Sequence, residues 1–253
     1  MTTYQNYING KFIDAADTHD VINPSTGQVL AHAPSSDIAA VNEAVAAAKA
    51  AQVHWAELPN IERAGYLTAI AAKLRDNVDR FAHYLVEEQG KVQALAEVEV
   101  SFTADYFDYM AGWARRLEGE VIPSDRPGEM IFLTYDPIGV VGGILPWNFP
   151  FFLIARKMAP ALLTGNTIVI KPSMETPINA FEFCKIVDEV GLPAGVFNMV
   201  GGSGRKIGEA LTTHPDVGLI SMTGSVDVGK RIMEQAGSTL TRVNLELGGK
   251  APA

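Results

Sequence analysis

Five short segments hold residues that could do chemistry, and each adjoins a stretch of buried-strand character. Pro146-Trp147-Asn148-Phe149-Pro150 follows the apolar run at 140–145. Two prolines stiffen that loop, and an asparagine amide held stiffly can donate to a developing oxyanion. The plainer alternative is a turn in which Asn148 bonds the local backbone. Thr167-Ile168-Val169-Ile170 ends abruptly in Lys171, followed by Pro172, Ser173 and Met174. An ammonium at a strand's carboxyl end reaches a ribose hydroxyl or a phosphate; a solvated strand end reads the same way.

The remaining three segments are glycine-rich or acidic. Gly202-x-Gly204-x-x-x-Gly208 is close to a dinucleotide-binding fingerprint, with its last spacing one residue too long. Glycine-rich turns also serve packing alone. In Met222-Thr223-Gly224-Ser225, Gly224 would admit a phosphate, and Ser225 could cap the next helix and donate to the anion. As a simple cap it needs no function. Glu246 interrupts an otherwise apolar strand at 241–247. Desolvation there would raise its pKa and suit it to general-base work, although a paired or edge position is the commoner case.

These segments need a scaffold, and the pattern supplies one. Residues 4–33 read as short strands, with Asn9-Gly10 as a hairpin signal and 23–27 as a second turn. Helices are expected at 36–52, capped by Ser36, then from Asn60 with Ile61, Leu67, Ile70 and Leu74 inward. Further helices are expected at 76–88, ended by Gly90, and at 92–116. Residues 120–135 read as an extended hairpin leaving the body. From 138 onward strands and helices alternate with short connections. That is the pattern of an α/β fold with a doubly wound, mostly parallel, Rossmann-like sheet. The expected division is 1–119 as the N-terminal part of the cofactor-binding domain, 120–136 as the protruding hairpin and 137–253 as the dinucleotide-binding core.

Composition excludes several classes. The 253 residues carry a formal charge of -9, which repels nucleic acid. The one cysteine, Cys184, excludes an intramolecular disulfide and fits a reducing compartment, so a cytoplasmic location is expected. With scattered histidines and no cysteine cluster, no metal site is expected. Glycines and prolines break the uncharged run at 138–155, so no membrane partner is expected either.

In this order and spacing the five segments resemble the aldehyde dehydrogenase superfamily, across essentially the whole chain. Residues 102–116 and 145–171 are especially similar to its lactaldehyde/glycolaldehyde branch. The resemblance implies a small aldehyde substrate, NAD as cofactor and a homo-oligomer. It implies that a cysteine thiolate attacks the aldehyde, that Asn148 stabilises the oxyanion and that Glu246 activates water for deacylation. Ile144, Leu145, Pro146 and Trp147 would line the cofactor cleft, and Lys171 would contact the adenosine ribose. Gly204 and Gly208 would lie near the adenine, and Gly224 and Ser225 at the pyrophosphate. Ser173, Met174, Thr223 and Leu247 complete the implied cofactor-binding set. The hairpin at 120–135 would belong to an oligomerisation element.

Two departures qualify this. Many NAD-preferring members have a glutamate three residues after the lysine, where this chain has Met174, so NADP stays open as an alternative. The family's nucleophilic cysteine lies a few dozen residues beyond the general base, whereas this sequence ends seven residues after Glu246. Cys184 falls in a helical apolar pattern and reads as a core thiol. The 253-residue chain alone is therefore expected to bind cofactor at best and to oxidise no aldehyde. The rival readings are a non-catalytic dinucleotide-binding or assembly module, and a dinucleotide enzyme of another family on this fold.

Overall fold

The structure, a computed structural model, describes residues 1–251. The chain opens with five short strands: β1 (Thr2–Thr3), β2 (Asn6–Ile8), β3 (Lys11–Ile13), β4 (Thr18–Ile22) and β5 (Val29–Pro34). Asn9 and Gly10, both with positive φ (53° and 71°), make the two-residue turn between β2 and β3 that their types require. Four helices follow: α1 (Ile38–Glu57), α2 (Asn60–Arg75), α3 (Val78–Gln89) and α4 (Gln93–Ala111). Strands β6 (Glu120–Pro123) and β7 (Met130–Leu133) form an isolated antiparallel hairpin, exposed along its whole length. It carries Val121, Ile131 and Phe132 into solvent.

The rest alternates as the pattern demands. It runs β8 (Val140–Ile144), α5 (Pro150–Leu163), β9 (Thr167–Lys171), α6 (Ile178–Val190) and β10 (Phe197–Met199). A π-helical turn at Gly204–Gly208 leads directly into α7 (Glu209–Thr212), then β11 (Val217–Gly224), α8 (Val226–Ala236) and β12 (Arg242–Leu247). The main sheet has the order β12-β11-β8-β9-β10-β2-β3. Its first five strands are parallel, and the β2–β3 hairpin adds an antiparallel edge. The expected mostly parallel Rossmann-like sheet is therefore present.

One side of the sheet buries α5 and α6 beneath α2, α3 and α4. Phe81, Phe151, Phe183, Phe107 and Phe197 are all fully buried there, and the Phe81 and Phe151 rings stand 4.6 Å apart. Parallel strands covered on both faces read as near-continuous apolar runs, as β8 and β9 do.

Several local expectations are corrected. Asp37 rather than Ser36 caps α1, accepting from the Ala40 amide at 3.2 Å. Ser36 Oγ is instead taken by the buried Asn6 side chain at 2.8 Å. Ile61 faces solvent at 47% exposure. Arg63 takes the inward position on α2 because its guanidinium donates to the carbonyls of Leu163, Trp55 and Ala56 at 3.0, 3.2 and 3.1 Å. Helix α4 stops at Ala111, before Gly112, rather than running to 116. Among the described residues no helix is long and apolar enough to cross a membrane.

Candidate active site at the carboxyl edge of the sheet

The loop from Leu145 to Phe149 connects β8 to α5. Pro150 starts the helix without an N–H, and Phe149 offers no side-chain cap, so α5 cannot cap itself. The cap comes from α4. Glu99, fully buried, accepts from the Phe151 and Phe152 amides through one oxygen at 2.9 and 3.1 Å. Its other oxygen is ion-paired to Lys91. Lys91 also donates to the Asn148 carbonyl at 3.3 Å and lies 4.6 Å from the centroid of the Phe149 ring. The Trp147 carbonyl accepts from Gln89 Nε2 at 2.7 Å and Thr176 Oγ1 at 3.3 Å. The side chains of Trp147 and Asn148 face outward.

A second buried carboxylate serves the next helix in the same way. Glu88, at the end of α3, accepts from the Ile178 and Asn179 amides at 2.6 and 2.9 Å and from Asn179 Nδ2 at 2.6 Å. Burial pushes its pKa up to about 7, against those three donors, which favour the charged form. Sequence reading missed both carboxylates. The signal was there in α4, where Glu99 shares its buried face with Ala96, Thr103 and Phe107.

The carboxyl end of β8 opens on a cleft of about 400 Å³. Ile144, Gly204, Gly208, Thr212, Val228 and Ile232 are among its lining. Lys171 lies just below: its Cδ is 3.7 Å from where a Cβ on Gly208 would stand. Lys171 is buried, donates to the Pro172 carbonyl at 2.7 Å, and has its pKa lowered to about 8 by desolvation. At the start of α8, Ser225 Oγ accepts from the Val228 amide at 3.3 Å. The first helical bond there runs from Gly229 N to Ser225 O, which leaves the Val226 and Asp227 amides ahead of it as anion donors. The α8 side of the cleft presents Val228 and Ile232 together with Arg231 and Gln235. Trp147 and Met174 open instead on a neighbouring cavity of about 420 Å³, with Glu88, Gln89 and Thr176. Sequence reading put all these residues in one cleft. The structure brings Ile144, Gly204 and Gly208 together and places Trp147 and Met174 on the other cavity. The Met174 carbonyl accepts from His19 Nε2 at 3.0 Å, and Ser173 Oγ accepts from the Glu175 amide at 3.2 Å.

Glu246 lies on β12, the sheet's edge strand, opposite Thr223 of β11. Its side chain is 50% exposed and pairs with Arg156 of α5 at 3.5 Å. Of the two readings left open by the sequence, the structure shows the paired, edge position, which keeps this carboxylate in contact with water. Arg156 lies six residues beyond Pro150, or ~9 Å along the α5 axis. One helix thus carries the Asn148 loop at its start and the partner of Glu246 two turns on. Its neighbour Lys157 is buried and donates to Ser221 Oγ and Thr223 Oγ1, both at 3.1 Å. Desolvation lowers the Lys157 pKa to about 8, with Glu246 pulling it back up. Leu247 packs against α8, its Cδ2 only 2.6 Å from a would-be Cβ on Gly229.

Cys184 is no nucleophile. It is fully buried in α6, its thiol donates to the Ala180 carbonyl at 3.3 Å, and burial raises its pKa well above the ordinary value.

The model of the aldehyde dehydrogenase family matches residues 12–253. The chain belongs to this family. It is 57% identical over 249 residues to lactaldehyde dehydrogenase of Escherichia coli K12, covering 98% of this chain and 52% of that protein. The crystal structure of lactaldehyde dehydrogenase from Escherichia coli superposes with a TM-score of 0.98 at 56% identity, over 99% of this chain and 53% of that one. A 3,6-anhydro-L-galactose dehydrogenase solved in complex with NAP superposes with a TM-score of 0.96 at 40% identity, over 99% of this chain and 53% of that one. The chain thus spans about half the length of the relatives it matches.

Proposed function

We propose that this protein supplies the dinucleotide site, the oxyanion donor and the general base of an NAD(P)-dependent oxidation of a small aldehyde to its acid. The substrate class is that of lactaldehyde or glycolaldehyde, on the strength of the 57% identical relative. The observation that carries the reading is the span of α5: Asn148 is fastened at its start, and Arg156 holds Glu246 two turns on.

In this reading Lys171 and the amides that open α8 bind the ribose and the diphosphate. The dinucleotide, when bound, supplies the two-electron acceptor. Asn148 donates its side-chain amide to the oxyanion formed when a thiolate adds to the aldehyde carbon. Glu246, wet and oriented by Arg156, takes a proton from the water that releases the acid. Because Cys184 is buried, the thiolate for the covalent step comes from outside these 253 residues, and this chain by itself binds cofactor without turning over aldehyde. NAD is the first choice of cofactor. Met174, which places no carboxylate against a 2′-phosphate, keeps NADP in play. The exposed apolar hairpin β6–β7 supports a homo-oligomer, and the absence of disulfide chemistry supports a cytoplasmic setting.

The test is aldehyde-dependent NAD(P)H formation by the product of the complete reading frame. Glycolaldehyde and lactaldehyde should be oxidised, Asn148→Ala should lower kcat about 10²–10³-fold, and Glu246→Gln should stall deacylation. No aldehyde-dependent reduction of either cofactor would refute the reading.

A further inference from the structure

Asn148 has no hydrogen bond from its side chain to any described residue. The backbone alone therefore places its Cα and Cβ, and so the arc its amide can sweep, within a loop stiffened by Pro146 and Pro150. Three attachments hold that loop: the Trp147 carbonyl on Gln89 and Thr176, the α5 amides on Glu99, and the Asn148 carbonyl on Lys91. The first fixes the peptide before the Asn148 Cα, and the last alone fixes the peptide after it. Lys91 follows the left-handed Gly90 that ends α3, so its own position is defined by a helix cap. Its side chain is 11% exposed, its ammonium is ion-paired to the buried Glu99, and its cation lies over Phe149, the residue after Asn148. One ammonium thus touches the Asn148 carbonyl, the Phe149 ring and the carboxylate that caps α5.

From this geometry, and resting on the functional reading above, we infer that Lys91, anchored by Glu99, is a positioning residue that aims the Asn148 amide at the oxyanion. It touches neither substrate nor cofactor, and it acts through the main chain of Asn148. The pair joins two helices packed behind the loop to the loop's own peptide, so freeing it lets the peptide rotate. A displacement of about 1 Å at a donor of this kind costs roughly 10²-fold in rate.

The experiment is a double-mutant cycle in the product of the complete reading frame, with Lys91→Met and Asn148→Ala, reading kcat, KM and dinucleotide Kd. The expected result is that Lys91→Met lowers kcat about 10–100-fold and leaves dinucleotide Kd within about twofold. In the Asn148→Ala background the same change should cost less than about twofold, and Lys91→Arg should restore most of the loss. Lys91→Gln, which keeps a donor but no charge, carries the test if Lys91→Met does not fold. A merely structural lysine would give equal costs in both backgrounds, or a cost that falls on Kd, and either result overturns the positioning role. A rate that falls with Asn148→Ala but not with Lys91→Met overturns that role alone. A rate indifferent to Asn148→Ala overturns the functional reading and the positioning role together.

Discussion

The Glu99 carboxylate and the Phe151 amide, 52 residues apart in sequence, meet at 2.9 Å in the fully buried space between α4 and α5. Neither partner has an alternative. Pro150 and Phe149 cannot cap α5, and Glu99 has no solvent. Glu99→Ala should therefore leave two helix amides unpaired and the Lys91 ammonium uncompensated. Breaking a buried pair in this way costs about 3–5 kcal/mol. Urea denaturation should show that loss, and a change under about 1 kcal/mol would mean that water replaces the carboxylate without penalty.

Glu88 makes the stability pH-dependent. Its folded pKa is raised from 4.5 to about 7, so its contribution is complete below pH 4.5 and is lost as pH rises through 7. At 1.36 kcal/mol per unit the loss is about 3 kcal/mol. Denaturation of the wild type at pH 5 and pH 7.5 should diverge by most of that amount from Glu88→Gln, which cannot titrate. Parallel behaviour of the two proteins would show that the three N–H donors outweigh burial.

Lys171 should make cofactor binding pH-dependent with the opposite chemistry. Its pKa is lowered to about 8, so the ammonium proposed to meet the ribose is present below pH 8 and lost above it. Dinucleotide affinity should fall between pH 7 and pH 9. Lys157 titrates in the same range, so the comparison is with Lys171→Ala, whose profile should be flatter. Identical profiles would remove Lys171 from the binding site.

Met174→Glu restores a carboxylate three residues after Lys171. It should raise the preference for NAD over NADP by at least about tenfold, through a ribose acceptor gained and repulsion of a 2′-phosphate. Parallel Kd measurements on the two cofactors check this. An unchanged ratio would fit the position of Met174 on the cavity neighbouring the cleft.

Most of the architecture was legible because parallel strands announce themselves. Val140–Ile144 and Thr167–Lys171 are unbroken apolar runs that end in residues of a different kind, and such ends are where ligands gather. Asn9-Gly10 gave its turn because positive φ at two successive residues leaves few other choices. For Glu246 the sequence left a desolvated and a paired or edge position open, because an apolar pattern does not reveal whether a strand is central, and β12 is at the edge of the described sheet. Glu88, Glu99 and Lys91 were missed for a different reason. Their partners are main-chain groups of distant segments, and amides carry no sequence signature. Lys157 was the most legible omission: a lone charge on the buried face of α5 signals a specific partner.

The central claim is that these 253 residues form a dinucleotide site, and titration with NAD⁺ and NADP⁺ tests it most directly. Trp147 is the reporter, 54% exposed on the second cavity, three residues beyond the cleft residue Ile144. Saturable quenching by at least one dinucleotide, weakened about 10–100-fold by Lys171→Ala, is the predicted result. Absence of saturable binding, or binding indifferent to Lys171→Ala, would contradict it.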